Sequence, residues 1–327
     1  MKFAAPFLFI SALFSTPAWA EAPPRLHYLE QQLASIGAAN PGNLGFAALY
    51  LETGEFVGIN GDNPFPMAST IKVAIAANYL AQIEHGRRTF DTVIGGRRAD
   101  RLIEAMLIRS DNYATDLLLR DLGGPAKVQA WLSQVGITGL RVDRNIAQLL
   151  AARRDLHDVR DSSTPRAMVT LLQKLDKGQL LTPVNKSYLL GLMGRCMTGK
   201  NRIRGLLPAG TLVQNKTGTL SNYSSDVGFI TLPNGRRIAV AIFARYGGNR
   251  PYTIARAARV IYDGFLYAPT VMASRLTSLA PQLQPANKGS LAPGSWPYTA
   301  ARTPPTIRLN SQIRNAAPSP LVQTPAQ

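Results

Sequence analysis

The stretch Ser69-Thr70-Ile71-Lys72 places a hydroxyl and an amine one helical turn apart. A serine hydroxyl becomes a nucleophile only when a neighbouring base accepts its proton, and a lysine whose pKa is lowered by burial can be that base. The apolar pattern that follows predicts a helix starting here, whose free backbone N–H groups favour developing negative charge near Ser69. An N-cap serine followed by a surface lysine fits the same four residues, so this pattern alone does not assign a function.

A second group, Ser110-Asp111-Asn112, precedes apolar residues at helical spacing. A capped helix start would explain these residue types without any catalytic role. In a catalytic role, Ser110 would pass a proton to a leaving nitrogen, and Asn112 would hold the carbonyl group of a substrate.

A third group, Lys216-Thr217-Gly218, lies at the end of a strand-like run. A lysine and a hydroxyl can bind a substrate carboxylate, and a glycine would let a ligand approach the backbone closely. The edge of the strand can also pair with a peptide-like ligand. A loop with a chance glycine is the alternative interpretation.

The three groups occur in the order Ser-x-x-Lys, Ser-Asp-Asn and Lys-Thr-Gly, which is the signature of class A β-lactamases and penicillin-binding proteins. From about residue 24 to about residue 268 the chain resembles the class A β-lactamase family. DLGG at 121–124 and RDSSTPRAM at 160–168 extend this resemblance beyond the three groups.

The resemblance implies two sets of site residues. The catalytic set consists of the acylated nucleophile, its activator and a proton relay, which are Ser69, Lys72 and Ser110. The substrate-binding set would hold the amide, the carboxylate and the oxyanion, and it consists of Asn112, Lys216, Thr217, Gly218 and Thr219. The oxyanion hole would be formed by the backbone N–H groups of Ser69 and Thr219.

The family pattern fails in the loop that follows the second group. There the family carries Arg-x-Glu-x-x-Leu-Asn, whose glutamate activates the water that releases the acyl-enzyme and whose asparagine helps to hold that water. In DRNIAQLL, residues 143–150, Arg144 keeps the arginine, but the glutamate position falls on Ile146 and the asparagine position on Leu150. The resemblance therefore implies that acylation is intact and that deacylation is impaired.

Other residues of this loop leave alternatives open. A carboxylate or imidazole further along could replace the missing base, directly or through a shifted alignment; the candidates are Asp155, His157 and Asp158. The resemblance also implies an ion pair between Arg144 and Asp161 that closes the loop.

Two further departures concern the walls of the cleft. The interval from Ser69 to Ser110 is shorter than in typical members, which predicts that one wall is cut back. Ser225-Asp226 stand where many members have an arginine that assists carboxylate binding.

The elements that must position these groups can be read from hydrophobic periodicity. A helix is predicted at 22–40 and a hairpin at 46–60, followed by a long helical region. Strands return at 211–217, 225–233 and 236–245, before a last helix at 251–267. This order predicts an α+β domain: an antiparallel sheet formed by N- and C-terminal strands, flanked by helices, with an inserted mostly helical subdomain. By resemblance this is the serine β-lactamase/DD-peptidase fold.

The ends of the chain differ from its centre in composition. Residues 1–20 combine Lys2, a short apolar run and small residues before Ala20, which is typical of a secretory signal cleaved after Ala20. The enzyme domain is then expected at 21–269, followed by a disordered, proline-rich basic tail at 270–327. The apolar run is too short for a membrane span, so the sequence predicts an exported periplasmic protein without a transmembrane segment.

The net charge of +17 raises the question of partners and ligands. Export and the lack of a recognisable module argue against nucleic acid, whereas the basic tail could contact anionic polymers of the cell envelope. Cys196 is the only cysteine, so an internal disulfide is excluded. No metal or cofactor site is expected, because the three histidines, His27, His85 and His157, lie far apart in the chain.

Three functions fit these observations. The first is an exported active-site-serine hydrolase that is acylated by β-lactams and by D-Ala-D-Ala-like peptidoglycan stem peptides and deacylates slowly. The second is a β-lactamase with a relocated base, which would hydrolyse β-lactam antibiotics. The third is a penicillin-binding or wall-anchoring protein with little turnover.

Overall fold

The computed structural model describes residues 26–39 and 43–266. The predicted signal peptide at 1–20 and the predicted tail at 270–327 lie outside the described residues. Within those two ranges, no helix is both long enough and apolar enough to cross a bilayer.

The α-helices of the described part follow one another along the chain as α1 His27–Ala38, α2 Lys72–Glu84, α3 Ala99–Ile108, α4 Asn112–Asp121, α5 Pro125–Gln134, α6 Ile146–Ala151, α7 Pro165–Asp176, α8 Pro183–Gly194 and α9 Arg250–Leu266. The strands are β1 Asn43–Tyr50, β2 Phe56–Ile59, β3 Phe65–Pro66, β4 Val93–Ile94, β5 Arg97–Arg98, β6 Ser162–Ser163, β7 Val213–Leu220, β8 Tyr223–Thr231 and β9 Arg237–Arg245. Short 3-10 helices span Ala68–Ile71 and Ile203–Leu206.

The main sheet is antiparallel and has the strand order β2-β1-β9-β8-β7. Strand β1 pairs with β9 along its whole length, from Asn43 opposite Arg245 to Tyr50 opposite Ile238. The strands from the two ends of the domain are therefore neighbours, as the sequence predicted. Strand β7, which carries the Lys-Thr-Gly group, forms one edge of the sheet, so one side of its backbone is not paired with another strand of this sheet.

Helices cover both faces of this sheet. Helices α1 and α9 close one face, where Leu33 and Ile261 are completely buried. The helices inserted between β2 and β7 close the other, where the rings of Phe65 and Phe243 stack with centroids 5.8 Å apart. Because both faces are covered, β1, β8 and β9 are buried almost throughout. The predicted α+β architecture with a helical insertion is confirmed.

The starts of the helices follow capping rules. Thr164 accepts a hydrogen bond from the N–H of Ala167 and is followed by Pro165 at the first position of α7. Helix α6 was not predicted, although Asn145 and Gln148 form a capping box there, in which each side chain accepts from the other residue's N–H. Its six residues are too few to show a helical period.

Candidate active site

Ser69 lies in the 3-10 helix Ala68–Ile71, which continues directly into α2. The residue before it, Ala68, has a left-handed φ of 48°, a conformation that costs a non-glycine residue about 1 kcal/mol or more. The turn is fixed from the loop side, because the N–H of Met67 donates to the carbonyl of Asp161 at 2.9 Å. The serine is thus held on a constrained turn.

Lys72 begins α2 and its side chain is completely buried. Its Nζ donates to the carbonyl of Ser110 at 2.8 Å, to Oγ of Ser110 at 3.2 Å and to Oδ1 of Asn112 at 2.7 Å. Burial, reinforced by the nearby charge of Lys216, lowers the pKa of Lys72 to about 7. A sizeable fraction of this amine is therefore neutral at physiological pH and able to accept a proton.

Ser110 stands between two lysines. Nζ of Lys216 donates to Oγ of Ser110 at 2.9 Å, on the same oxygen that accepts from Lys72. With both donors in place, the hydroxyl proton of Ser110 is free to be donated to a third group. Burial lowers the pKa of Lys216 to about 8. This hydroxyl is therefore placed to transfer a proton between Lys72 and a ligand.

The start of α4 carries the second group. Oδ1 of Asp111 accepts from the N–H of Ala114 at 2.9 Å, so this aspartate caps the helix. Asn112 is exposed, while its Oδ1 is bound to Lys72. Capping therefore explains Asp111, whereas Ser110 and Asn112 face the buried amine.

Gly218 lies in close contact with the turn before Ser69. A Cβ atom at this position would lie 2.7 Å from the carbonyl oxygen of Met67, 3.1 Å from Cβ of Ala68 and 2.4 Å from Oγ of Ser225. The space beside this glycine is therefore filled by the turn that precedes Ser69, not by a ligand. The missing side chain lets β7 pack against that turn, and the next residue of the strand, Thr219, is exposed.

Arg202 was missed by the sequence analysis. Its Nη1 donates to the carbonyls of Gly218 and Ser225 at 2.8 and 2.9 Å, and its Nη2 donates to Oγ1 of Thr219 at 2.7 Å. A guanidinium group thus lies beside β7, although Ser225-Asp226 hold the position where an arginine was expected. Only its proximity in space identifies it, since Arg202 comes from the connection between α8 and β7 and belongs to no motif.

The Thr217 hydroxyl continues this polar patch. Its Oγ1 lies 2.5 Å from Oγ1 of Thr198, another residue that the sequence did not single out. Lys216, Thr217, Thr219 and Arg202 together offer an ammonium, two hydroxyls and a guanidinium along one stretch of β7. Such a set can bind a carboxylate.

The buried carboxylate of Asp226 fixes the backbone next to Arg202. Asp226 is fully buried; it accepts from Nδ2 of Asn215 at 2.8 and 3.0 Å and from the N–H of Ile203 at 3.1 Å. Burial raises the pKa of Asp226 to about 7. Since Ile203 directly follows Arg202, this contact fixes the backbone from which the guanidinium extends.

The predicted ion pair between Arg144 and Asp161 is confirmed. Nε of Arg144 lies 2.5 Å from Oδ2 of Asp161, and both side chains are largely buried. Oδ1 of Asp161 also accepts from the N–H groups of Asp143 and Arg144 at 2.8 and 2.9 Å. The two ends of the 143–161 loop are thereby tied together.

The structure offers no polar side chain at positions 146 and 150, where the family has the glutamate and the asparagine that handle the deacylating water. Ile146 is buried, with 6% of its surface exposed, and Leu150 is 49% exposed. The carboxylate of Asp116 on α4 lies beside them and accepts from the N–H groups of Ile146 and Ala147 at 2.7 and 2.9 Å. The charge of Asp116 also raises the pKa of Lys72, against the effect of burial. No motif in the sequence singles out this aspartate.

The candidate replacement bases of the loop are engaged elsewhere. Asp158 pairs with Arg144 and Arg160, and its hydrogen bonds to Arg160 hold its pKa at about 2, too low for an effective base near neutral pH. The ring of His157 stacks on Tyr246, and Oδ1 of Asp155 accepts from the N–H of His157. The structure gives none of the three a contact with Ser69 or Lys72.

Comparisons with known proteins find similarity to β-lactamases. A model of the Beta-lactamase enzyme family matches residues 28–265. The carbapenem-hydrolyzing β-lactamase KPC of Klebsiella oxytoca is 31% identical over 248 residues, which cover 68% of this chain and 84% of that protein. The extended-spectrum β-lactamase PER-1 of Pseudomonas aeruginosa is 28% identical over 268 residues, covering 72% and 86%.

Solved structures show the same similarity. An ancestral class A β-lactamase, designated GNCA, superposes with a TM-score of 0.69 at 32% identity, covering 72% of this chain and 100% of that one. A β-lactamase from Chitinophaga pinensis superposes with a TM-score of 0.69 at 27% identity, covering 73% and 99%.

Proposed function

The chain belongs to the class A β-lactamase family and is a serine hydrolase of that type, and from this premise we propose that it is acylated efficiently on Ser69 but releases the acyl group slowly. The observation that carries the proposal is the pair of lysines on Oγ of Ser110, combined with an isoleucine at the glutamate position. The first feature serves acylation, and the second removes the usual base for deacylation.

In the proposed acylation, neutral Lys72 accepts the proton of Ser69 as Oγ attacks the carbonyl carbon of the β-lactam. The oxyanion that forms is held by the backbone N–H groups of Ser69 and Thr219, each donor contributing about 3–4 kcal/mol to the transition state. The proton then passes from Lys72 through Ser110 to the ring nitrogen, and the C–N bond breaks. The contact of Ser110 with Lys72 supports the first transfer of this relay, and the contact with Lys216 holds the Ser110 hydroxyl in place.

The substrate carboxylate is proposed to bind along β7, to Lys216, Thr217 and the guanidinium group of Arg202. Asn112 would hold the carbonyl of the acyl side chain while its own oxygen stays on Lys72. The edge position of β7 in the sheet supports pairing with a peptide-like chain, so D-Ala-D-Ala-terminated peptidoglycan peptides are the proposed substrates beside β-lactams. Export to the periplasm and contact of the basic tail with anionic envelope polymers belong to the same proposal.

The experiment that tests the acylation step is intact-protein mass spectrometry after incubation with benzylpenicillin. The wild-type protein should gain the mass of one penicilloyl group, and Ser69→Ala should gain none. Ser162→Ala is a matched control, because the Ser162 hydroxyl bonds only to the carbonyl of Val159 within the described part of the chain. Labelling that persists in Ser69→Ala would remove the proposed mechanism.

A second candidate is a β-lactamase with efficient turnover and a relocated base. Its supporting observation is Asp116, whose charge lies close enough to Lys72 to raise the pKa of that amine. Both oxygens of the Asp116 carboxylate already accept backbone N–H groups at the start of α6, so they are engaged in holding the loop. Slow deacylation therefore remains the preferred proposal.

A further inference from the structure

An open cleft of about 710 Å³ lies beyond the end of β7, between the β7–β8 turn and the 143–161 loop. Its charged lining comes from that loop: Arg153, Arg154, Arg160, Asp155 and Asp158. The lining is completed by Leu156, by Ser221 and Asn222 from the turn, and by Tyr246 after β9. The three arginines outnumber the two aspartates, so the cleft carries a surplus of positive charge.

The charges of the cleft are not equally available. Asp158 is occupied by Arg160 and by Arg144. The guanidinium groups of Arg153 and Arg154, in contrast, form no hydrogen bond or ion pair with the rest of the described chain, and both residues are exposed. They are the two cations of the cleft that a ligand can pair with directly.

The walls of the cleft are tied to the sheet. Nη1 of the buried Arg245 donates to the carbonyl of Leu156 at 2.9 Å, and the ring of His157 stacks on Tyr246 with centroids 5.9 Å apart. The N–H of Tyr246 donates to the carbonyl of Asn222 at 2.7 Å. The loop backbone is therefore held beside the turn, which keeps the cleft open without a ligand.

The direction of the substrate along β7 places its acyl side at this cleft. The groups for the leaving-group carboxylate lie at Lys216 and Thr217, and the oxyanion would lie at the N–H of Thr219. The acyl part of the substrate must then continue the other way, past Leu220 to Ser221. Ser221 is two residues beyond Thr219, about 7 Å along the strand, which a substituent of a few atoms can reach.

A smaller cavity adjoins both regions, since its lining includes Ala68, the residue before Ser69, as well as Arg153 and Arg154. We propose that Arg153 and Arg154 form a subsite for a carboxylate on the acyl side of the substrate, with the Tyr246 ring as a neighbouring apolar wall. This inference rests on the proposed acylation of Ser69. It assigns to the enzyme a preference for acyl groups that carry a second negative charge.

Carbenicillin and benzylpenicillin form a suitable pair of probes, because they differ by one carboxylate on the side chain. The quantity to measure is the ratio of their second-order acylation rate constants, carbenicillin over benzylpenicillin. In the Arg153→Gln/Arg154→Gln variant this ratio should fall about five- to tenfold, as expected for two solvent-exposed charge pairs. Raising the salt from about 0.05 M to about 0.5 M should lower the ratio in the wild-type protein, because exposed charges are screened.

Arg256→Gln is the matched control, because Arg256 is an exposed arginine on α9, which packs on the opposite face of the sheet. Its ratio should equal that of the wild type. An unchanged ratio in the double variant, with benzylpenicillin still acylating Ser69, would overturn the subsite while leaving the proposed function intact. Failure of benzylpenicillin to acylate the wild-type protein would instead overturn the proposed function.

A second pair of probes identifies the source of the carboxylate. Acyl-D-Ala-D-Ala peptides with a free side-chain carboxylate, and the same peptides with that group amidated, are compared in the same variants. If the double variant lowers the rate ratio for both the peptide pair and the penicillin pair, the subsite serves peptidoglycan peptides. If it lowers the ratio for the penicillin pair alone, the subsite serves antibiotics. If neither ratio falls, the cleft does not recognise carboxylates.

Discussion

The carboxylate of Asp116 on α4 accepts a hydrogen bond from the backbone N–H of Ile146 at 2.7 Å and a second from Ala147 at 2.9 Å. This aspartate therefore caps the start of α6, the helix whose first residue holds the position of the missing glutamate. A negative charge is present in this region, but it stabilises the backbone of the loop. Any carboxylate introduced at position 146 would share the site with Asp116.

This relationship predicts how deacylation can be restored. Ile146→Glu alone should accelerate deacylation little, because two neighbouring carboxylates cannot both ionise easily and one remains protonated. Ile146→Glu combined with Asp116→Asn should release the penicilloyl group about 10²–10⁴ times faster than the wild type, the usual contribution of a general base. The decay of the adduct mass after removal of free penicillin measures this rate.

Two controls accompany that experiment. Asp116→Asn alone should leave deacylation slow, and adding Leu150→Asn to the double variant should increase the rate further by holding the water. A faster rate in Asp116→Asn alone, or no gain in the double variant, would contradict the role assigned to position 146.

Acylation should depend on pH through both lysines of the site. The rate constant should rise as pH increases through about 7, because neutral Lys72 is the base. It should fall above about 8, because Lys216 then loses the charge that binds the substrate carboxylate. Because the charges of the two amines influence each other, the apparent pKa values of the rising and falling limbs describe the pair of lysines rather than either one alone. This curve is obtained by measuring the initial rate of penicilloyl formation at about ten pH values between about pH 5 and about pH 10.

Lys216→Arg provides the control for the pH dependence. An arginine keeps its charge to above about pH 12, so the descending limb should disappear while the ascending limb remains. A flat profile in the wild-type protein would contradict the assignment of Lys72 as the base.

Arg202 should contribute to recognition of the substrate carboxylate. Arg202→Ala is expected to slow acylation by benzylpenicillin about 10- to 100-fold, in line with the loss of charged hydrogen bonds. The methyl ester of benzylpenicillin lacks that carboxylate, so its slower acylation should change much less. Equal losses for the acid and the ester would indicate that Arg202 only supports β7 through Gly218 and Ser225.

The closure of the 143–161 loop should contribute strongly to stability. Asp161→Ala leaves the largely buried Arg144 without its main partner, and the free energy of unfolding should fall by about 3–5 kcal/mol. Asp62→Ala is a comparison variant, because Asp62 pairs with Arg166 but is 70% exposed and should contribute less than about 1 kcal/mol. Urea denaturation followed by tryptophan fluorescence compares the two.

Much of the fold follows from the sequence because its signals are local. The hairpin of β1 and β2 is predicted by two strand-like runs around Thr53-Gly54, and Gly54 has the expected positive φ of 80°. The three catalytic groups are short and lie at the starts or ends of regular elements, so their convergence on Ser110 could be expected from the family resemblance. The pair of Arg144 and Asp161 was predicted in the same way.

The remaining site residues are positioned by long-range packing, which a single sequence does not reveal. Arg202 and Thr198 come from an irregular connection and reach β7 only in the folded protein. Asp116 has the spacing of an ordinary helix residue, and its contact lies thirty residues further along the chain, at Ile146. Gly218 could be recognised as special, but only the structure shows that a side chain there would collide with the turn before Ser69.

The lifetime of the penicilloyl adduct tests the central claim most directly. In a stopped-flow experiment with a chromogenic cephalosporin, we predict a burst of about one product per enzyme molecule followed by slow turnover, because Ile146 cannot activate water. Mass spectrometry during the slow phase should find the protein acylated on Ser69. Turnover of tens of molecules per second without a burst, on the order of efficient enzymes, would contradict the claim and would require an active base elsewhere in the site.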